Sequence, residues 1–448
     1  MHPYRARRAR LIEHMRANGG GIAVIPTATE VMRNNDVEYP FRHDSYFYYL
    51  SGVTEPDAVI VLVAGAGAGD HARSIFFCRD KDAEREIWHG VRHGPDDARA
   101  VFGFDEAFSI SALDRQIPTL LANVAALYAG MGRKGAFDAR LNGWLHELRR
   151  AARSGMRVPA ATYDVNMIVD EMRLFKSGDE LDIMRRAAAI SADAHLRAMR
   201  TTRPGLTEYR IEAELLYEFH RQGAAAPAYP AIVAAGANAC VLHHNPSRAQ
   251  IKDGDLLLID AGCEYDSYAS DITRTFPANG KFSSAQKAIY EIVLEAQQAA
   301  IAAVRPGAHF MAPHEVALRI LTQGMLDTGL LNGDKVGSVD DAIANGDYRQ
   351  FFMCKTSHWL GMDVHDVGSY REPMQQESWR VLHPGMTLTI EPGMYIRPAP
   401  GVPEQFWNIG IRIEDDVAVM PSGREVLSAG VPKAIDEIEA LMRARRTS

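Results

Sequence analysis

Two stretches of this chain, Leu256 to Phe276 (LLLIDAGCEYDSYASDITRTF) and His383 to Tyr395 (HPGMTLTIEPGMY), follow one pattern. Gly254 lies six residues before Asp260 and Gly385 six before Glu391, and each largely apolar run ends on an acid followed two residues later by Gly262 or Gly393. The upstream sequence repeats as well. Ser177 with Glu180 and Ser283 with Gln286 form capping boxes, in which each side chain satisfies the other's orphan backbone donor and a helix opens. Each helix leads to an Arg-Pro-Gly, at 203–205 and 305–307, and then to a second helical segment. That segment carries Ile211, Leu215 and Phe219 in the first copy, and Val316, Ile320 and Met325 in the second. Such a duplication predicts two copies of a helix, helix, strand unit, with corresponding residues meeting near a pseudo-twofold axis. Asp260 and Glu391 are therefore expected in one shared site.

Leu256 to Ile259 present no polar face, so they read as a strand buried on both sides that delivers Asp260, with Asp271 following. Length adds a second constraint. A chain of 448 residues is too long for one core and predicts about two to three domains. Residues 1–173 mix short strands (Ile22–Ile25, Ala58–Ala64, Ser74–Cys78) with a helix over Leu113–Tyr128, an α/β pattern without a catalytic cluster. The boundary falls near Met172 to Ser177, giving domains 1–173 and 174–448. The aromatic-rich Tyr39–Arg42 and Tyr46–Leu50 are expected in the core. Trp88, flanked by charges, is expected at the surface, in an interface or a substrate contact. Asn332–Asp347 reads as an excursion within the second copy.

With 47% hydrophobic and 24% charged residues the composition is that of a soluble globular protein, and a net charge of -8 gives no reason to expect nucleic acid or an anionic membrane as partner. The longest apolar run, around Ala58–Gly69, is far short of the roughly 20 residues that span a bilayer. Arg5, Arg7, Arg8 and Arg10 fit a plain surface helix better than a transit peptide. Cys78, Cys240, Cys263 and Cys354 are widely spaced, against a disulfide framework and against a thiolate zinc site. The cytoplasm is the expected compartment.

Three further segments stand out: the loop Cys240–Pro246, whose pair His243-His244 reads on its own as solvated, SHWLGMDVHDVG with His358 and His365, and NIGIRIEDDVAV with Arg412 and Glu414. In the last, alternation sets Ile411 and Ile413 on one face and Arg412 with Glu414 on the other, as on a strand facing a polar cavity. Asp260, Asp271, Glu391, Glu414 and His358 then compete for one cavity. Two carboxylates about 4 Å apart repel by roughly 4 kcal/mol at an effective dielectric near 20, so four converging acids stay ionised only with cations among them. Two dications offset four charges where one does not. Oxygen-dominated ligation with a single imidazole points to Mn(II) first, then Co(II), Fe(II) or Zn(II).

LIDAG with Asp260, SDITRTF with Asp271, SHWLG with His358, IEPGMY with Glu391 and IRIEDD with Glu414 resemble the ligand motifs of the pita-bread metallopeptidases, specifically bacterial Xaa-Pro aminopeptidases, with prolidase and creatinase as relatives. RNNDVEYPFRHDSYFYYLSG looks like the creatinase-type N-terminal domain, so the resemblance covers nearly the whole chain. It implies an α/β N-terminal domain followed by an α+β pita-bread catalytic domain with an internal pseudo-twofold repeat. It implies two metals, one held by Asp260, Asp271 and Glu414, the other by Asp271, His358, Glu391 and Glu414. A hydroxide between them attacks the Xaa-Pro carbonyl, Glu391 shuttles protons, and His243 and His365 bind substrate and stabilise the tetrahedral intermediate. Arg412 orients Glu414 or shuttles protons, Tyr229 contacts substrate, and Tyr395 and Asp44 are supporting or unassigned. Trp88 would reach the site of a neighbouring subunit, implying a homodimer or homotetramer, and the substrates would be peptides with proline second. The rivals are a prolidase restricted to Xaa-Pro dipeptides and a non-catalytic pita-bread binding protein. One departure is Cys354, four residues before His358, where the family commonly has histidine.

Overall fold

The computed structural model describes residues 3–65 and 71–444, which divide into two compact units, Met1–Met172 and Arg173–Ser448. The first is built on a six-stranded sheet in the order Glu106–Ser109, Arg73–Cys78, Val59–Ala64, Gly21–Pro26, Ala126–Tyr128, Ala161–Tyr163. Its three central strands are antiparallel and its outer pairings parallel. Helices Leu113–Leu121 and Gly135–Arg150 pack onto one face through Leu113, Ile117, Leu121, Leu141, Trp144 and Leu148.

Several expectations change here. The helix predicted over Leu113–Tyr128 stops at Leu121, because the chain turns through Asn123 in the left-handed region (φ 64°) and Ala126–Tyr128 joins the sheet. The basic N-terminal segment is a helix, Pro3–Ala17, but not a plain surface one. Arg8 is buried, giving its guanidinium to the carbonyls of Leu50, Phe102 and Gly103. Tyr46, Phe47, Tyr49 and Leu50 are core, whereas Tyr39 is exposed beside the small hairpin Met32–Asn34/Val37–Glu38. The apolar run around Ala58–Gly69 is a buried strand over Val59–Ala64; residues 66–69 lie outside the described residues.

In the second unit both capping boxes form, opening helices Gly178–Thr201 and Ser284–Ala303, and each helix pairs with the one after its Arg-Pro-Gly, Glu208–Arg221 and Ala312–Asp327. Ile211, Leu215 and Phe219 are fully buried. In the second copy the buried stripe is Ala317, Leu318, Leu321 and Met325, and Val316 faces outward, because Ala317, one position on, begins the inward face. Inside the helices lie two antiparallel three-stranded sheets, Ile232–Ala235/Leu256–Asp260/Thr273–Pro277 and Thr387–Ile390/Asp415–Met420/Gly423–Val426. The ribbon Gly393–Ile396/Ile409–Arg412 continues beside them. The repeated glycine after each acid answers a close approach of backbones. A Cβ at Gly262 would lie 1.7 Å from the Ser270 carbonyl oxygen, and one at Gly393 2.7 Å from that of Ile411. No helix among the described residues is long and apolar enough to cross a membrane.

Candidate metal centre and its cavity

Strand ends deliver the acids. Asp260 closes Leu256–Asp260 opposite Thr273; Asp271 precedes Thr273–Pro277; Glu391 follows Thr387–Ile390; Glu414 sits between Ile409–Arg412 and Asp415–Met420. His358 is pinned at Thr389, whose hydroxyl accepts its N–H at 3.2 Å and whose own N–H reaches the His358 carbonyl at 3.0 Å. These five side chains line one cavity of about 390 Å³, together with Tyr229, His243, Cys354, His365, Tyr395 and Arg412.

Ligand atoms of Asp271, His358 and Glu414 lie within 4.8 Å of one another. His358 Nε2 is 3.4 Å from Asp271 Oδ2 and 3.5 Å from Glu391 Oε1. Asp260 joins through Tyr229, whose hydroxyl lies 2.6 Å from Asp260 and also hydrogen-bonds Asp271. Arg412 donates to Asp260 at 2.5 Å, to the Tyr395 hydroxyl at 2.7 Å and to Thr273 Oγ1 at 3.1 Å. Thr273 in turn donates to Glu414 at 2.7 Å, so Arg412 meets Glu414 through a hydroxyl and Asp260 directly.

Burial and crowding act in one direction on Asp271, Glu391 and Glu414. Burial pushes Glu391 up to about 7 despite His358 and Arg412 nearby, and burial with neighbouring carboxylates raises Glu414 and Asp271. Burial alone would lower His358, but Asp271 and Glu391 beside it push it up to about 9. Arg412 is the one arginine or lysine lining the cavity among the described residues, so the negative charge has no equal counterweight. The donor set therefore fits divalent cations of the hard or borderline kind. Cys354 lines the same cavity, and in the absence of metal burial and the Glu391 charge push its thiol up to about 11, so that it is neutral there.

His243 and His365 both stand on the wall, the His365 ring 4.4 Å from that of His358 and edge-on to it. His244 does not; it bonds Glu208. Trp88 belongs to the other unit, 79% exposed on helix Ala83–His89 with Ile87 and Val91 equally bare. Asp44 caps helix Ser45–Ser51 and pairs with Lys134 at 2.9 Å, a structural duty. Sequence reasoning passed over Thr273 and Asp416. The buried Asp416 accepts the Asp271 N–H at 3.1 Å, and its place two residues after Glu414 in IEDD was the available signal. The segment bearing His365 is fastened by Asp366, buried against Arg173 at 2.6 Å and Lys176 at 3.0 Å.

A duplicated helix and strand unit closing on four carboxylates and one imidazole is the frame of a metal-dependent hydrolase, and the chain belongs to metallopeptidase family M24, whose model matches residues 182–421. Residues 4–128 match the N-terminal domain of aminopeptidase P. The chain is 45% identical to the Xaa-Pro aminopeptidase of Escherichia coli K12 over 443 residues, covering 99% of this chain and 98% of that one. The aminopeptidase PepP of Pseudomonas aeruginosa superposes with a TM-score of 0.94 at 48% identity over 99% of each chain. Human Xaa-Pro dipeptidase is more distant, 32% identical with 97% of this chain and 92% of that one covered. The architecture is thus an α/β aminopeptidase P N-terminal domain followed by the pita-bread domain. Family membership and the Asp271, His358, Glu414 triad make the protein a metal-dependent peptidase.

Proposed function

We propose that the protein is an Xaa-Pro aminopeptidase, releasing the first residue of peptides whose second residue is proline. The observation that carries this is the convergence of Asp260, Asp271, His358, Glu391 and Glu414 in one cavity with His243 and His365 on its wall. Greater identity to an Xaa-Pro aminopeptidase than to an Xaa-Pro dipeptidase favours it over prolidase. The complete donor set speaks against a non-catalytic binding protein.

Asp260, Asp271 and Glu414 are assigned to one metal, and Asp271, His358, Glu391 and Glu414 to a second, with Mn(II) the first choice and Co(II), Fe(II) or Zn(II) alternatives. When bound, the pair supplies Lewis acidity and activates water for hydrolysis. Glu391, on the cavity wall beside His358, is assigned to take and return the proton. His365, whose burial and neighbouring His358 lower its basicity, is neutral at pH 7 and donates a hydrogen bond to the scissile carbonyl together with His243. Arg412 holds Asp260 and, through Thr273, Glu414; Tyr229, bonded to Asp260 and Asp271, borders the space the substrate enters. Residues 174–448 are assigned as the catalytic domain and 1–173 as the N-terminal domain. The exposed Ile87, Trp88 and Val91 support a homodimer or homotetramer in which Trp88 serves a neighbouring subunit, and the compartment is assigned as cytoplasmic.

The test is the metal-stripped protein with Mn(II) restored, given an Xaa-Pro dipeptide, a tripeptide with proline second and a matched tripeptide with alanine second. Manganese-dependent cleavage of the proline tripeptide alone among the tripeptides is expected. Cleavage of the dipeptide only would move the assignment to prolidase, and no cleavage with two metals bound would sink it.

A further inference from the structure

One buried carboxylate outside the metal cluster gathers five donors. Glu208, fully buried in the first turn of helix Glu208–Arg221, accepts the Ala235 N–H and the Asn238 amide on Oε1, each at 2.9 Å. Its Oε2 accepts His244 Nε2 at 2.8 Å, the Ser247 N–H at 3.0 Å and the Ser247 hydroxyl at 2.6 Å. Burial pushes the Glu208 carboxyl up, but the bonds from Asn238, Ser247 and His244 outweigh it and hold the group below the usual carboxylate range. The group is therefore ionised and accepts only, so His244 carries its proton on Nε2.

The two oxygens grip the two ends of one segment. Ala235 and Asn238 lie where the strand Ile232–Ala235 runs out, and His244 and Ser247 lie where the chain returns. Between them project Leu242, His243 and Asn245, which line the cavity. From the other side Arg397 donates to the Cys240 carbonyl at 2.6 Å. Glu208 itself does not line the cavity.

We infer that Glu208 is a positioning residue for the reaction, fixing the 235–247 segment so that His243 meets the substrate. This rests on the role given above to His243. Glu208→Gln keeps the volume but replaces one acceptor oxygen by an NH2, and since each oxygen holds a backbone N–H that can only donate, Ala235 on one side and Ser247 on the other, one end of the segment is displaced. Because a misplacement of about 1 Å can cost about 100-fold, kcat is expected to fall about 10- to 100-fold while bound metal and circular dichroism stay unchanged.

The deciding experiment is a double-mutant cycle measured on a proline-second tripeptide. Glu208→Gln should cost less than about 3-fold when added to His243→Ala, since a displaced alanine has no hydrogen bond to lose. Ser247→Ala removes one of the five donors and should show a smaller loss with the same dependence on His243; it serves should Glu208→Gln fold poorly. An equal fold-loss in both backgrounds, for the variant that folds with metal bound, would overturn the inference. If His243→Ala alone leaves turnover intact, the role of His243 fails instead, and the two failures are told apart.

Discussion

His358 gives its Nδ1–H to the carbonyl of Trp359 at 2.9 Å, and the same carbonyl accepts the Asp366 N–H, also at 2.9 Å. The first bond fixes Nδ1 as a donor and turns Nε2 toward Asp271 and Glu391, where it holds a proton without metal and would offer its lone pair to a bound one. The second ties the turn that carries His365 to the same point. One backbone oxygen thus sets two histidines of the site against each other.

Asp271 stands at the centre of the donor set, within reach of His358, Glu414 and Tyr229. Asp271→Ala is expected to strip the protein of metal and lower kcat/KM by more than about 100-fold, the upper end of what losing an outer-shell partner of a metal ligand costs. Elemental analysis alongside the kinetics checks it. Wild-type metal content with near-normal turnover would remove Asp271 from the shared position.

The sequence carried Asp260 and Glu391 unusually well because each ends a buried apolar run, and such runs are legible wherever four aliphatics stand together, as at Leu256–Ile259. Both capping boxes were legible for a similar reason, being local chemistry three residues apart. Contacts between segments distant in sequence were not legible. Nothing in SDITRTF shows that Thr273 sits between Arg412 and Glu414, 139 and 141 residues away, or that Asp366 meets Lys176 across 190. The second-copy helix misled by one position at Val316, and Leu113–Tyr128 by a left-handed Asn123 that no apolar count can register.

Asp366 is paired inside the protein with Arg173 and Lys176, all three side chains about 1% exposed. Removing its charge leaves buried Lys176 without its carboxylate and Arg173 with Asp363, at 2.8 Å, in place of two acids, and breaking a buried pair in this way costs up to about 3–5 kcal/mol. Asp366→Asn should therefore lower the unfolding free energy by about that much in urea titration, and should reduce turnover as the turn bearing His365 loosens. A midpoint within error of wild type would mean that water reaches this cluster.

Cys354 is expected to serve as wall rather than as ligand. Its side chain packs against the apolar cluster that includes Ile232 and Tyr395, so Cys354→Ala should keep the full metal content and cost about 1 kcal/mol of stability or less. Loss of one metal equivalent in the variant would show the sulfur to be coordinating.

Without metal, the site opposes its own ionisation, and the consequence is a stability that falls with pH. Glu391 rises from 4.5 to about 7, so the folded state binds more protons than the unfolded chain across that interval, and stability drops as pH climbs through it. His358 rises from 6.5 to about 9, and its favourable pairing with Asp271 and Glu391 is lost as pH passes its folded value. Buried His195, pushed down to about 4, and His314, also near 4, act oppositely, but only below about 6.5 where the unfolded chain still takes up their protons. The melting temperature of the metal-stripped protein should therefore decline between pH 6.5 and 9. Divalent metal supplies the missing positive charge, keeps the acids ionised and His358 deprotonated, and should abolish or reverse that slope. Calorimetry with and without Mn(II) across this range decides it: parallel curves would mean that the four acids do not share a cation.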